Sequence, residues 1–157
     1  EQYLTYANSK LPEALLYAYQ STKDKKYLDI GIESLQFLIS ETIKEGIFVP
    51  IGQRGWYLKE KKRAYYDQQP VDVAYMVQAL ITAYNTTKDE KYKKQALQTF
   101  QWFTGKNSLN QVVYNENTGG CYDGLGESVI NINQGAESTI SYLLARLSLM
   151  DLWSLIK

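Results

Sequence analysis

The sequence repeats the stretch Ala14-Leu-Leu-Tyr-Ala-Tyr-Gln-Ser-Thr-Lys-Asp-Lys-Lys-Tyr27 as Ala79-Leu-Ile-Thr-Ala-Tyr-Asn-Thr-Thr-Lys-Asp-Glu-Lys-Tyr92. The two stretches lie 65 residues apart and are identical at 9 of 14 positions. The same offset pairs Gln69-Pro-Val-Asp72 with Gln134-Gly-Ala-Glu137, so a third unit begins there. Self-similarity at a fixed period indicates a repeated supersecondary unit that stacks on its neighbours.

Each unit is predicted to be a helical hairpin, because its apolar residues recur every three or four positions. In the first unit these residues are Leu11, Leu15, Ala18, Tyr19, Ile30, Leu35 and Leu38. The polar Thr-Lys-Asp segment between the halves predicts a short turn, in which Asp24 or Asp89 caps the following helix. We therefore predict an all-α chain with five helices, at about 5–21, 24–45, 70–87, 89–104 and 135–156.

Two long connections separate the hairpins, a first loop of residues 46–69 and a second loop of residues 107–134. Both exceed the ~12–15 residues above which a loop is usually functional or disordered, and their aromatic residues and glycines argue against disorder. The turns inside the hairpins are short. All long loops are therefore expected at one end of the helix stack.

Composition excludes several classes of function. The chain of 157 residues has a net charge of zero, no histidine and one cysteine. Nucleic-acid proteins and polybasic membrane anchors are normally basic. Without histidine there is no Ser-His-Asp or Cys-His chemistry and no His-ligated metal, so carboxylates, tyrosine or lysine must carry any acid–base step. We expect no cofactor and no metal.

The first residues lack a secretory signal, and no apolar run approaches the ~18 residues of a membrane span. A cytoplasmic location without membrane contact is therefore expected. Because the chain starts with Glu1 rather than Met, we expect a processed product or a part of something longer.

Candidate site residues concentrate in the long loops and the helix starts that follow them. Carboxylates, amides and aromatic faces are the groups that bind and process sugars. The predicted catalytic residues are Asp67, Asp72, Asp123 and Glu137. The predicted substrate-binding residues are Arg54, Trp56, Tyr66, Gln68, Gln69, Tyr122, Asn131, Asn133 and Gln134.

Structural explanations compete with these assignments. In the structural interpretation Asp67 or Gln69 caps the third helix, and Asp72 is a dipole-favoured acid in its first turn. Asp123 precedes a glycine, which is a turn signal. Glu137 holds the repeat position of Asp72, and two carboxylates about 5–10 Å apart are what glycoside hydrolysis uses. The sequence leaves this separation open.

The repeat and loop motifs resemble one family, the helical domain associated with bacterial and archaeal glycosyltransferases, within the six-hairpin (α/α-toroid) glycosidase-like superfamily. The resemblance rests on Gly55-Trp56, Asp67-Gln-Gln-Pro70, Trp102-Phe-Thr-Gly-Lys-Asn107, Thr118-Gly-Gly-Cys121, Asp123-Gly-Leu125 and Asn131-Ile-Asn-Gln-Gly-Ala-Glu-Ser-Thr139. Tyr66 and Tyr122 depart from it, since Phe and His are often found there. It implies helical hairpins around a central axis.

A full toroid has six hairpins and this chain supplies about two and a half, so residues 1–157 are expected to be one domain, the C-terminal part of a larger ring. The first functional hypothesis is a glycoside hydrolase-like or glycan-processing domain. The alternatives are a non-catalytic glycan-binding or scaffolding module that partners a glycosyltransferase, and a helical-repeat protein-interaction domain. The expected partners are a glycan, a glycosyltransferase or the missing part of the toroid, or a second copy.

Overall fold

The computed structural model describes residues 2–153 of the chain. Its helices are α1 (Lys10–Thr22), α2 (Lys25–Thr42), α3 (Pro70–Thr87), α4 (Glu90–Phe100) and α5 (Ala136–Trp153). Its strands are two residues long, namely β1 (Tyr3–Leu4), β2 (Ile43–Lys44), β3 (Ile47–Phe48), β4 (Tyr57–Leu58), β5 (Gly124–Leu125) and β6 (Ile130–Asn131). The predicted helical fold is confirmed.

The helices form two layers. An inner row places α3 between α1 and α5, while α2 packs outside α1 and α4 packs outside α3. Because α3 is covered by three other helices, most of its side chains are buried. The core continues into the segment after α4, where Trp102 and Phe103 are fully buried and pack edge to face with ring centroids 5.4 Å apart.

The repeated sequence produces repeated turn geometry. Lys23 and Lys88 end α1 and α3 in the left-handed conformation, with φ of 61° and 60°. Asp24 and Asp89 then cap α2 and α4, and each carboxylate accepts a 3.0 Å hydrogen bond from the backbone two residues later. The predicted Asp caps are confirmed, because identical side chains satisfy the same unpaired N–H groups in both units.

Three predicted helix boundaries are wrong. The first helix starts at Lys10 rather than near residue 5, because β1 pairs antiparallel with β4 and residues 5–9 turn towards α1. The second helix ends at Thr42 rather than at residue 45, where β2 and β3 form a hairpin through Glu45 and Gly46, both at positive φ. The fourth helix ends at Phe100, and residues 101–105 form turns.

Both long loops end at the start of an inner helix, so they meet at one end of the layers. Gln68 and Leu125 join the loops through two backbone hydrogen bonds of 2.8 and 3.0 Å. Gly124 permits this approach, since a Cβ there would lie 2.3 Å from the Gln68 carbonyl oxygen. The predicted clustering of the long loops at one end is therefore confirmed.

An exposed apolar stripe runs along α5. Its side chains recur every one to three positions and lie on one side of the helix. They are Ile140, Leu143, Leu144, Leu147 and Met150, each between 37% and 58% exposed. Contiguous exposed apolar surface of this kind usually marks an interaction face.

We expect the 157-residue chain to self-associate at micromolar concentration through this stripe. The double substitution L143K/L147K should shift it towards monomer in sedimentation velocity, because burying the exposed half of each leucine contributes about 1 kcal/mol. The control S21K/S40K adds the same charge at two exposed serines on α1 and α2 and should not change association. Equal association of both variants would contradict this expectation.

No helix in the described part of the chain is long and apolar enough to cross a membrane. Within the same residues, no group of three or more metal-ligating side chains could hold a metal ion.

Candidate functional site

A cleft of about 510 Å³ opens at the long-loop end, between the two loops and the start of α5. It collects carboxylates and amides from three separate parts of the chain. Its polar side chains are Gln53, Arg54, Asp67, Gln69, Asp123, Asn131, Glu137 and Ser138. Its floor and rim include Gly124, Leu125, Gly126, Val129, Gly135 and Ala136.

The first loop folds back on itself to form one wall of this cleft. Gln53 N–H donates to the Asp67 carbonyl at 3.0 Å, and Arg54 N–H donates to the Tyr66 carbonyl at 2.8 Å. Gly52 makes this pairing possible, because a Cβ there would lie 2.2 Å from the Tyr66 nitrogen. The Arg54 side chain also donates Nε–H to Asp67 Oδ2 at 3.2 Å. Both side chains are partly exposed, so the pair is weak and open to exchange with a ligand.

Asp123 ties the second loop to the start of α5. Oδ1 accepts hydrogen bonds from Gly135 N–H at 2.8 Å and from Ser138 Oγ at 2.7 Å, and Oδ2 accepts one from Asn133 Nδ2. Desolvation opposes ionisation of Asp123, but the hydrogen bonds from Asn133, Ser138 and Gly135 outweigh it and hold the pKa below its ordinary value. Asp123 is therefore an anionic anchor in the cleft wall, and the Asn133 amide is engaged with it.

Glu137 lies in the first turn of α5 and is exposed. It lines the carboxylate cleft and also an adjacent cavity of about 300 Å³, which we call the aromatic lobe. The aromatic lobe is lined by Tyr6, Ala7, Gln53, Trp56, Gln69, Val71, Tyr75 and Glu137. Gln53, Gln69 and Glu137 line both cavities, and Gln69 Nε2 donates to Gln53 Oε1 at 3.0 Å. The two cavities therefore adjoin each other, with these three side chains lining both.

Asp72 lies behind the cleft rather than in it. This corrects the prediction that Asp72 shares a catalytic site with Asp67, Asp123 and Glu137. Its side chain is 8% exposed, and Oδ1 accepts a 2.7 Å hydrogen bond from Ala7 N–H. Oδ2 has no hydrogen-bond partner among the described residues. Burial, opposed by the Ala7 hydrogen bond and assisted by the nearby charge of Glu137, raises the pKa of Asp72 to about 7. Its role in this structure is to hold the segment before α1.

The structure also corrects the prediction that Gln68 binds substrate. Its side chain is fully buried and cannot reach a ligand in the cleft. Its Oε1 accepts a 2.8 Å hydrogen bond from Trp102 Nε1, and its Nε2 donates to Ser108 Oγ at 2.8 Å and to the Tyr65 carbonyl at 3.1 Å. A buried amide with all of these partners joins the first loop, the second loop and the core. We assign Gln68 a structural role.

We expect Gln68→Leu to lower the free energy of unfolding by about 2–3 kcal/mol. The substitution leaves the buried Trp102 indole N–H without its acceptor, and an unsatisfied buried polar group costs about 1–3 kcal/mol. Urea unfolding of both proteins measures the difference. The same substitution at the neighbouring, half-buried Gln69 should cost less than about 0.5 kcal/mol. Equal losses at the two positions would contradict the assignment.

Other predicted site residues lie beside the cleft. Tyr122 accepts a hydrogen bond from Asn115 Nδ2 at 3.0 Å, and Gln134 accepts one from Thr118 Oγ1 at 2.7 Å. Gln134 also packs against Gly120, where a Cβ would lie 2.2 Å from its Oε1. Tyr66 lines neither of the two cavities. The contacts of Tyr122 and Gln134 indicate that these two side chains stabilise the second loop.

The structure adds residues that the sequence reasoning missed. Ser138 lies inside the Asn131–Thr139 motif and Gln53 directly precedes Arg54 in the first loop, so their positions held a usable signal. Tyr6 and Tyr75 line the aromatic lobe without any sequence signal, because each belongs to an ordinary helical or terminal pattern. Cys121 is buried, and desolvation with the charge of Asp123 raises its pKa to about 12, so it stays a thiol.

Comparison with known proteins gives structural matches alone. No protein-family model and no curated protein sequence matches the chain. A glycoside hydrolase family 76 α-mannanase from Bacteroides thetaiotaomicron superposes with a TM-score of 0.69 at 17% identity, over 92% of this chain and 35% of that one. A family 76 mannosidase from Bacteroides thetaiotaomicron VPI-5482 gives 0.69 at 13% identity, over 93% and 38%.

These matches show the fold. The chain has the α/α-toroid arrangement of helical hairpins and spans a little more than one third of the length of these two enzymes. The predicted arrangement of helical hairpins as part of an α/α toroid is thereby confirmed. The glycosyltransferase association and the division of the ring stay predictions.

Proposed function

We propose that the protein is a glycoside hydrolase-like domain that binds and cleaves an α-linked mannose-containing glycan in the carboxylate cleft. One observation carries the proposal: Asp67 of the first loop, Asp123 of the second loop and Glu137 of α5 line one open cavity. Like charges are not brought together by the fold without compensation, and enzymes use such groups of carboxylates for acid–base work. The two structural neighbours are named for activity on mannans, which suggests the sugar.

The chemistry follows from the surroundings of each carboxylate. Asp123 is held ionised by its three hydrogen-bond donors, so it positions the loop and contributes negative charge that favours an oxocarbenium-like transition state. The Glu137 side chain makes no hydrogen bond within the described residues and lines both cavities, so it would lie beside the glycosidic oxygen of a ligand that occupies both. We assign it the proton transfer to the leaving oxygen.

Asp67 is assigned the second catalytic role, on the wall formed by the first loop. Arg54 Nε–H donates to Asp67 Oδ2 at 3.2 Å, and a carboxylate on this wall can activate water or attack the anomeric carbon. Amide side chains of Gln53, Gln69 and Asn131 line the same space and supply donors and acceptors for sugar hydroxyls.

Binding without cleavage is the second candidate function. The observation that favours it is length, because the chain spans only 35% and 38% of the two neighbours, and the whole enzymes' activity need not reside in one arc. In that case the cleft would present a glycan to an enzyme partner, for which a glycosyltransferase remains the proposal.

Incubation with α-linked manno-oligosaccharides separates these functions. Titration calorimetry measures binding, and chromatography of the incubated mixture measures cleavage. Binding with release of shorter sugars supports the hydrolase proposal, and binding without products supports the second candidate. Absence of both would overturn the carbohydrate assignment.

A further inference from the structure

We infer that the aromatic lobe is a second sugar subsite, so that the ligand is an oligosaccharide with adjacent rings in the two cavities. This inference rests on the proposed function and deepens it. It assigns Tyr6, Trp56 and Tyr75 to ligand binding, and it makes the segment before α1 part of the site.

The aromatic lobe lies directly beside the carboxylate cleft. The aromatic lobe shares Gln53, Gln69 and Glu137 with the carboxylate cleft, and its volume of about 300 Å³ reaches the lower limit of ordinary small-molecule sites, roughly 300 Å³. The shared amides stand between the cavities, where they can bond to hydroxyls of both rings. One linear ligand can therefore cross from one cavity to the other past Glu137.

The linings of the two cavities differ in chemistry. The carboxylate cleft is polar, whereas the aromatic lobe presents the side chains of Tyr6, Trp56 and Tyr75. The Tyr6 and Trp56 rings have centroids 6.2 Å apart and are inclined by 46°, so they form an angled wall. The C–H face of a sugar ring packs on such surfaces, since aromatic faces are apolar and electron-rich.

Trp56 has an unusual backbone conformation. Its φ is 57°, in the left-handed region, where a bulky residue is a genuine outlier. The preceding Gly55 and the hydrogen bond from Trp56 N–H to the Gly52 carbonyl, at 3.0 Å, hold it there. Such conformations cluster at ligand sites, because the surrounding structure must offset their cost.

The chain is held in place on both sides of Tyr6. Before it, β1 pairs with β4, the strand that directly follows Trp56. After it, Ala7 adopts φ of 58° and donates its N–H to the buried Asp72 carboxylate at 2.7 Å. The remote position of Asp72 behind the cleft is thus explained, since it anchors the segment that carries Tyr6.

The Tyr75 ring is also held in place, by a contact with Lys10. The Lys10 ammonium lies 4.6 Å from the Tyr75 ring centroid. Lys10 is itself held by Glu13 at 2.6 Å. The three aromatic side chains therefore form the wall of the lobe before any ligand arrives, which lowers the ordering cost of binding.

Proton NMR of the indole N–H groups tests the inference on the 157-residue chain. The probes are mannose and α-linked mannotetraose, with maltotetraose as an oligosaccharide of another sugar. We expect mannotetraose to shift the Trp56 indole signal and to leave the signal of buried Trp102 unchanged. A shift of Trp56 by any tetrasaccharide supports the subsite even where no product forms, so failure of the hydrolase proposal is seen separately. No Trp56 shift with any probe overturns the inference.

Matched variants complete the test. Trp56→Ala and Tyr6→Ala should each weaken mannotetraose binding about tenfold and change mannose binding less than twofold, because only the longer ligand reaches the lobe. Tyr6→Phe should retain affinity, and Tyr3→Ala, an exposed tyrosine of the same segment outside the lobe, should have no effect. Equal losses for both sugars, or no loss with unchanged thermal unfolding, would overturn the inference.

Discussion

Replacement of Glu137 by Gln is expected to lower the rate of glycan cleavage about 10³-fold while ligand affinity changes little. The amide keeps the size and hydrogen bonding of the carboxyl group but cannot transfer a proton, and loss of a positioned acid or base costs 10²–10⁴-fold. Product formation from α-linked manno-oligosaccharides under single-turnover conditions measures the change. Asp67→Asn should produce a comparable loss, because the second carboxylate role is removed.

The control for this experiment is Glu116→Gln. Glu116 is an exposed glutamate of the second loop that does not line the cleft, and it undergoes the same chemical change. Its activity should remain within twofold of the original protein. If Glu137→Gln and Asp67→Asn both retain full activity, the assigned roles are wrong.

The second large effect concerns stability and pH. We expect the free energy of unfolding to fall as the pH rises from about 4 to about 7, and Asp72→Asn to remove most of this fall. The pKa of Asp72 is about 7 in the folded chain against its ordinary value of 3.8, so the folded state binds more protons between these values. Stability therefore decreases with rising pH in this window and is constant above it.

The size of the effect has an upper bound. A difference of about 3 pKa units at about 1.4 kcal/mol each gives at most about 4 kcal/mol. Asparagine can still accept the Ala7 hydrogen bond, so the anchor of the segment before α1 is preserved. Urea unfolding at pH 4.5 and pH 8 measures both proteins.

Asp29→Asn is the matched control, because Asp29 is an exposed aspartate on α2. Its pH dependence should follow the original protein. A variant at Asp72 that loses as much stability between pH 4.5 and pH 8 as the original protein would show that burial of this carboxylate is not the cause.

The helices were predictable because their signals are local. The spacing of apolar residues, the Asp caps and the short turns depend only on residues close in sequence. Because of the repeat, each of these signals occurs twice. Two of the three wrong boundaries lie next to a strand, and at the third the turns of residues 101–105 replace the last predicted helical residues. The pairing of Tyr3–Leu4 with Tyr57–Leu58 joins residues more than fifty positions apart, and no local pattern reveals it.

The site was predictable only in outline. Asp67, Asp123, Gln69 and Glu137 line one cleft, as their shared position at the long-loop end suggested. Gln68 is adjacent to two of these residues in sequence, yet it is fully buried and bonded to Trp102. In an extended segment successive side chains point to opposite sides, so the pairing of the segment with Leu125 decides which residue faces the ligand.

By itself the sequence determined the class of fold, the number of hairpins and the end of the layers that carries the long loops, because these depend on local periodicity and its repetition. Only the tertiary structure decided that Asp72 anchors Ala7 while its repeat counterpart Glu137 is exposed in the cleft. The two carboxylates hold equivalent positions on their helices. What differs is the chain that lies over each helix start, and that covering is set by long-range packing.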